Sequence, residues 1–145
     1  MFNFVPSRLA LIVLISACSI ILISMGLRQT FGLFFDAFEK GLGVTRTEFG
    51  LAIGIQMLFW GFFAPIFGLL ADKFGGNKAV FLGFLIFALG IFMLYSGPNT
   101  GIYFQLALGV LVGTALGATA IGVPVSEVGK HFPNETRTIA TGVVT

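Results

Sequence analysis

Arg28 is the residue of this sequence best suited to do chemistry, because it interrupts a long apolar stretch. The apolar character resumes after it at Phe31, Phe34 and Phe35. A charged side chain well inside a membrane span costs about 2.5 to 3.5 kcal/mol on insertion scales, so it must face protein or water. Its guanidinium group offers a fork of donors that can hold a carboxylate through paired hydrogen bonds. Arg28 is therefore a candidate anion-binding residue.

Two helical faces would carry the candidate site. Ser24, Arg28 and Phe31 are three or four residues apart, which places them on one face of a helix. Gln56 and Trp60 are four residues apart on a second helix. We predict four substrate-binding residues, as contacts within a largely apolar wall: Arg28, Phe31, Gln56 and Trp60. Two alternatives stay open: Arg28 as a structural arginine that snorkels or pairs internally, and Gln56 as a hydrogen bond to a neighbouring helix.

The residue types give no support to catalysis, metal binding or nucleic-acid binding. The sequence has one cysteine and one histidine. We interpret Cys18 as a small packing residue, and His131 lacks the neighbours that a metal site needs. We find no nucleophile beside a base, no phosphate-binding loop and no carboxylate pair at hydrolase spacing. The formal net charge of +2 is spread over loops and makes no basic patch. We therefore expect no enzyme activity, no cofactor, no metal and no nucleic-acid partner.

The composition requires a membrane around these residues. Of the 145 residues, 57% are hydrophobic and only 10% are charged. The apolar residues form runs of roughly 20, the length that a helix needs to cross a hydrocarbon core about 30 Å thick. The alternating pattern of a membrane barrel strand does not occur. The predicted fold class is therefore an all-α integral membrane protein with membrane lipid as a partner.

The apolar runs predict four membrane-spanning helices and the start of a fifth. They cover about residues 9–38, 48–70, 78–96 and 102–128, with the fifth starting at 137 and incomplete at 145. Residues 36–48 indicate a short polar loop, at whose end Thr45 and Glu48 fit a capping box that begins the second helix. An ending within the fifth helix is what we expect of a fragment of a longer protein.

The fourth predicted helix carries a glycine face. Gly109, Gly113 and Gly117 are each four residues apart, so their bare backbone lies on one side of the helix. Such a face lets a neighbouring helix approach closely. One alternative function follows from it, a stand-alone four-helix membrane protein that acts as an assembly unit.

The distribution of lysine and arginine orients the chain. Short cytoplasmic loops of membrane proteins carry an excess of these residues. One side holds five of them, Arg8, Lys73, Lys78, Lys130 and Arg137, and the other side holds Lys40 and Arg46. We therefore expect a multi-pass protein of the cell membrane whose amino terminus is cytoplasmic.

A polar, glycine-marked joint separates the second and third predicted helices. Residues 68–78 read Gly-Leu-Leu-Ala-Asp-Lys-Phe-Gly-Gly-Asn-Lys, and we expect the chain to turn at Gly75 and Gly76 on the water side of the membrane. Asp72 in this joint and Glu127 near the end of the fourth helix could relay protons. Carboxylates at a helix end near water are more often partners of Lys or Arg, so we prefer that interpretation.

With this joint, the paired helices and Arg28 in place, nearly the whole chain resembles the amino-terminal third of a major facilitator superfamily transporter. The joint is similar to the superfamily signature Gly-x-Leu-Ala-Asp-Arg-x-Gly-x-x-Lys between helices two and three. Within the superfamily, the chain looks most like the monocarboxylate and oxalate-formate porter group. Arg28 and the aromatic segment after it resemble that group's first helix, and residues 129–132, Gly-Lys-His-Phe, resemble its Gly-Lys-Tyr-Phe step before a following Arg, here Arg137.

The resemblance implies a fold of twelve helices in two six-helix halves. Residues 1–145 would then be a partial N-terminal six-helix domain, and its partner would be the missing C-terminal half. The implied function is secondary active transport of small organic anions by alternating access, with a small carboxylate as substrate and coupling to protons or anions. The alternative is a carrier of another substrate class, such as drug or amphipath efflux. Gln105 argues against proton-driven drug efflux, because many drug and sugar members have an arginine in that region.

The resemblance also implies an inward gate at the joint. Asp72 would sit at the positive end of a helix from the second half, and Lys73 or Lys78 would pair with an acid such as Glu127. The expected gating residues are Gly68, Asp72, Lys73, Gly75, Lys78, Glu127 and Arg137.

Overall fold

The computed structural model describes residues 7–98 and 100–145, and the regular structure of these residues is helical throughout. Four segments are long and apolar enough to cross a membrane, which confirms the predicted fold class. In chain order the elements are α1 (Arg8–Thr30), α2 (Phe35–Leu42), α3 (Arg46–Phe74), α4 (Gly76–Ser96), α5 (Gly101–Phe104), a π-helical segment (Gln105–Leu111), α6 (Val112–Thr119), α7 (Gly122–His131) and α8 (Asn134–Val144). The segment Gly101–His131, from α5 to α7, is the fourth span.

The first predicted helix is divided in the structure. We predicted one helix over 9–38 and a polar loop over 36–48, but α1 ends at Thr30 and the separate helix α2 covers much of the expected loop. The backbone tightens where α1 ends, since Leu33 N–H donates to the Thr30 carbonyl at 2.9 Å in place of a helical i−4 bond. Gly32 lies in this turn and weakens the helix through its backbone freedom.

Aromatic side chains dock α2 onto α3 and α5. The ring of Phe38 lies edge-on to Phe104 with centroids 5.3 Å apart, and Phe35 lies edge-on to Phe49 at the same distance. The charged residues of α2 alternate with these rings along its sequence, so the helix has one apolar face that packs and one polar face that does not. A stretch that looked like a loop by its charges is therefore an amphipathic helix.

The start and the end of α3 follow local sequence signals. The capping box is confirmed: Thr45 Oγ1 accepts from Glu48 N–H at 3.3 Å, and Thr45 N–H donates to Glu48 Oε2 at 2.9 Å. The helix runs to Phe74, one turn beyond the predicted end, so the joint to α4 is the single residue Gly75. Gly75 has φ +94°, a conformation that favours glycine, and it confirms the expected turn.

The fourth span is less regular than the predicted helix 102–128. It contains the π-helical segment Gln105–Leu111 and breaks at Ala120 and Ile121 before α7. Pro124 explains the break, because it has no N–H for the Ala120 carbonyl and its ring would clash with that carbonyl in a continuous helix. The ladder resumes when Val125 N–H donates to the Ile121 carbonyl at 3.0 Å.

The glycine face of the fourth span packs against α3, as its spacing predicts. A Cβ atom on Gly113 would lie 2.7 Å from the Gln56 carbonyl oxygen, and one on Gly117 would lie 2.9 Å from the Phe63 carbonyl carbon. Gly109 approaches Ile55 in the same way, at 2.9 Å from its Cγ2 atom. The glycine face is therefore occupied by the chain's own helix α3.

The remaining contacts complete the bundle around α6, which packs against both α3 and α4. Leu108, Val112 and Leu116 of the fourth span are fully buried at this centre. The helix α1 packs mainly against α7 and α8, and α8 supplies the start of the predicted fifth helix at Asn134 instead of 137.

Candidate functional site

Arg28 lies in the last turn of α1, inside a candidate membrane span. Its side chain is half-buried and reaches across to α3. The Nη2 atom donates to the sulfur of Met57 at 3.3 Å, and the Cζ atom lies 5.4 Å from the ring centroid of Trp60. A guanidinium over an indole face is attracted by the negative charge of the ring's π cloud. Arg28 is therefore held by a thioether and an aromatic face, both uncharged.

Arg28 has no ion-pair partner within the described residues. The two ion pairs in that part of the chain both belong to Lys130. The Nε atom of Arg28 is buried and has no hydrogen-bond partner. A buried donor without a partner destabilises a structure unless a ligand or solvent group satisfies it. Arg28 thus forms no internal ion pair with a described residue, and its role as a structural or an anion-binding arginine stays a prediction.

Met57 and Trp60 reach Arg28 because they share a face of α3. They are three residues apart, which places one above the other on a helix. Met57 is 45% exposed and Trp60 is half-buried. We predicted Trp60 from the sequence and missed Met57. The i, i+3 spacing to Trp60 was the available signal, but nothing in the residue type of a methionine distinguishes a site from ordinary packing.

Gln56 precedes Met57 on α3, about 100° around the helix from it, and lies within the interface to the fourth span. Its side chain is fully buried, and Nε2 donates to the Leu108 carbonyl of the π-helical segment at 3.2 Å. The Oε1 atom has no hydrogen-bond partner. This geometry fits the interhelical hydrogen bond that we weighed as an alternative. The role of Gln56 as a substrate contact stays a prediction.

Phe31 also lies away from the open side of Arg28. Only 7% of its surface is exposed, and its ring belongs to the core cluster that includes Val44 and Phe104. Of the four predicted site residues, the structure therefore brings Arg28 and Trp60 into direct contact. It places Phe31 and Gln56 in the packing that surrounds them.

A second polar cluster forms where α3, α4 and α7 meet. Lys130 Nζ donates to Asp72 Oδ1 at 3.1 Å and to Glu127 Oε1 at 2.8 Å, so one lysine bridges two carboxylates. In this structure Lys130, and neither Lys73 nor Lys78, forms the ion pair with Glu127. Lys130 follows Glu127 by three residues on α7 and reaches it within one turn, whereas Lys73 Nζ lies 5.2 Å from the Phe74 ring.

The other predicted gating residues surround this cluster or stand apart from it. Next to Gly75, Gly76 begins α4 so close to Glu127 that a Cβ atom at residue 76 would overlap the carboxylate side chain. The side chain of Arg137 lies against Gly129, 3.8 Å from the place of a Cβ atom there. Lys78 is exposed, and Gly68 lies within α3 with no atom within 4 Å of an added Cβ. The structure thus joins Asp72 and Glu127 through Lys130, as the preferred interpretation of both carboxylates as partners of a basic residue predicts, although Lys130 was not among the expected gating residues.

Comparisons with known proteins place these features in a family. The profile of the Major Facilitator Superfamily matches residues 13–145. The chain is 32% identical over 90 residues to the "Riboflavin transporter RibZ" of Clostridioides difficile. The aligned region covers 58% of this chain and 18% of that protein. It is also 32% identical over 120 residues to the "Multi-drug resistance efflux pump PmrA" of Streptococcus pneumoniae, covering 77% of this chain and 29% of the relative. The chain thus spans less than a third of the length of these relatives. No solved structure matches it.

Proposed function

The chain belongs to the major facilitator superfamily, and we propose that it forms part of a secondary transporter for small organic anions, with Arg28 as the residue that binds the carboxylate. It is a multi-pass membrane protein with four candidate spans, not an enzyme. The transporter would work by alternating access, coupled to protons or anions, with substrate held near the bilayer midplane. The monocarboxylate type is the substrate class that the sequence around Arg28 favours.

One observation carries this proposal: an arginine inside a span whose contacts are uncharged. Ionisable residues within membrane spans mark substrate or ion pathways by default. Among the described residues no carboxylate forms an ion pair with Arg28. Its charge is therefore available to an external anion, and its planar donor fork matches the geometry of a carboxylate.

Trp60 and Met57 would prepare the guanidinium for this ligand. Arg28 Cζ lies over the indole of Trp60, 5.4 Å from the ring centroid. This cation–π contact would restrict the rotamers of the arginine without using its hydrogen-bond donors, which a carboxylate needs. Phe31 and Gln56, being buried, would act through the packing that positions α1 and α3.

The cluster of Asp72, Lys130 and Glu127 is the part that we propose for gating. It links the end of α3 to α7 across the one-residue joint at Gly75. The lysine and arginine distribution favours a cytoplasmic location for this end of the bundle. Breaking and remaking the bridge would let the inner ends of the helices separate during transport.

A second candidate is a carrier of larger or amphipathic compounds. The names of two relatives, a riboflavin transporter and a multi-drug resistance efflux pump, favour it. The fourth span has Gln105 in a region where many drug and sugar members of the superfamily have an arginine, which argues against proton-driven drug efflux. A counterflow panel of organic acids against lipophilic cations decides between the two candidates.

The direct test replaces Arg28 in the complete transporter, reconstituted in proteoliposomes. We expect Arg28→Gln to abolish carboxylate uptake, because the neutral amide cannot hold the anion, while the protein still inserts. Arg28→Lys keeps the charge without the bidentate fork and should retain weak uptake. Gln29→Ala, at the exposed neighbouring position, is the matched control and should transport normally. Unchanged uptake by Arg28→Gln would refute the assignment.

A further inference from the structure

Met57 is the most exposed methionine of the described residues, and it touches the charged group of the site. It is 45% exposed, and its sulfur lies 3.3 Å from Arg28 Nη2. Met25 and Met93, the other two methionines of the described residues, are both half-buried. A thioether is a weak acceptor, so this contact leaves most of the hydrogen-bonding capacity of the guanidinium unused.

From this contact we infer that Met57 is a site of reversible oxidation that regulates anion binding at Arg28. The inference rests on the proposed function, because it concerns the same guanidinium. The oxidant is of the peroxide class. A sulfur lone pair attacks one oxygen of hydrogen peroxide, and the O–O bond breaks. The hydroxide that leaves takes the proton from the transferred hydroxyl group, so the products are the sulfoxide and water. Sulfur loses two electrons and the peroxide gains them.

The sulfoxide changes the site because its oxygen is a strong acceptor on a polar S–O bond. That oxygen is formed on the sulfur atom that already faces Arg28 Nη2. A hydrogen bond from the ionised guanidinium to a sulfoxide oxygen is stronger than one from the same group to a thioether sulfur. The sulfoxide oxygen therefore competes with a substrate carboxylate for the same donor.

The contacts of Arg28 show which of its donors a sulfoxide would engage. The Trp60 ring centroid lies 5.4 Å from Cζ, and Nε is buried within the protein. Nη2 is the nitrogen that already donates to the sulfur of Met57. A strong acceptor fixed at residue 57 would therefore occupy this donor without unfolding the helices.

The experiment uses the complete transporter in proteoliposomes with Cys18→Ala, which removes the one thiol of this chain. Hydrogen peroxide is the probe, and peptide mass spectrometry follows the sulfoxide at Met57, Met25 and Met93. We expect Met57 to oxidise before Met25 and Met93. As the sulfoxide forms at Met57, the half-saturating carboxylate concentration should rise roughly tenfold. Methionine sulfoxide reductases should restore uptake, since they reduce both sulfoxide epimers.

Three variants isolate the role of Met57 in the response to peroxide. Met57→Leu should show the same uptake before and after peroxide treatment, whereas uptake by Met93→Leu should still fall after the treatment. Met57→Gln places an amide oxygen near Arg28 and should raise the half-saturating concentration without any oxidant. Equal peroxide inhibition of Met57→Leu, or slower oxidation of Met57 than of Met93, would overturn the inference while leaving the Arg28 assignment intact. Normal uptake by Arg28→Gln would instead refute the proposed function, whatever the oxidation of Met57 shows.

Discussion

The contact between Gly113 and α3 gives the sharpest test of how this bundle is held together. An alanine at this position would place its Cβ atom 2.7 Å from the Gln56 carbonyl oxygen and 2.9 Å from the Gln56 Cα atom. Both are backbone atoms, so a side-chain rotation cannot relieve the overlap. The two helices must move apart, which opens gaps along the rest of the glycine face.

The magnitude follows from two opposing effects. Overpacking of a well-packed interface costs about 1–3 kcal/mol. Alanine recovers up to about 1 kcal/mol because it favours the helical backbone more than glycine does. We therefore expect Gly113→Ala to lower the free energy of unfolding by up to about 2 kcal/mol. Denaturation of the purified protein in mixed detergent micelles, followed by circular dichroism and by the fluorescence of the single Trp60, measures this difference.

Gly54→Ala is the matched control on the partner helix. An added Cβ atom at Gly54 meets no atom within 4 Å, so only the gain in helix preference should appear. This variant should be as stable as the parent protein or up to about 1 kcal/mol more stable. If Gly113→Ala and Gly54→Ala shifted the unfolding transition in the same direction, the close packing of α3 on the fourth span would be refuted.

Two further predictions concern the gate and the capping box. Asp72→Asn should slow carboxylate turnover, because it weakens the bridge to Lys130. The order of substrate preference should stay the same, because Arg28 is unchanged. Counterflow measures both properties, and an altered preference with normal turnover would contradict the gating role. Its effect on stability should stay within about 1 kcal/mol, since the Asp72 side chain is 67% exposed. Thr45→Ala should destabilise the protein by about 1 kcal/mol, because it removes the acceptor for Glu48 N–H at the start of α3. Detergent unfolding compares it with Thr47→Ala, at an exposed position of the same helix, which should change little.

Local signals in the sequence were sufficient for parts of this fold. The capping box at Thr45 and the glycine turn at Gly75 depend on a few adjacent residues, so they could be recognised without a structure. The spacing of Gly109, Gly113 and Gly117 gave a packing face because residues four apart always share a side of a helix. Length and hydropathy gave the four spans, since a bilayer sets the length that a helix needs.

Other features depended on signals that were misinterpreted or on tertiary contacts. Pro124 accounts for the break at Ala120, four residues back along the helix, but Pro65 lies within the continuous helix α3, so a proline alone does not predict a break. The helix α2 has the charges of a loop, and its packing against Phe104 is visible only once the fourth span is placed. The π-helical segment has no sequence signal that we recognise.

Only part of the candidate site could be predicted, because contacts between side chains of different helices are not visible in the sequence. A charge inside a span is visible in the sequence, so Arg28 could be named, and i, i+4 spacing could suggest Trp60. The direction in which each side chain points around α3 was not visible. Gln56 and Met57 are neighbours in the chain, yet one bonds to the fourth span and the other to α1. In the same way, the sequence did not show which lysine would reach Glu127. The resemblance implied Lys73 or Lys78, and in this structure Lys130 is the partner.

The different contacts of Gln56 and Met57 connect the glycine face to the site. Gly113 lies against the backbone of Gln56, and Gln56 is held to the Leu108 carbonyl by its own side chain. The next residue, Met57, reaches Arg28 from the same turn of α3. A side chain at residue 113 that displaces this turn must therefore move Met57 and Trp60 relative to α1. We expect Gly113→Ala to weaken carboxylate binding as well as stability, whereas Gly117→Ala, one turn further from Met57, should reduce stability with a smaller change in the half-saturating concentration. Equal changes in binding for the two variants would show that the overlap acts on the whole bundle and not through this turn of α3.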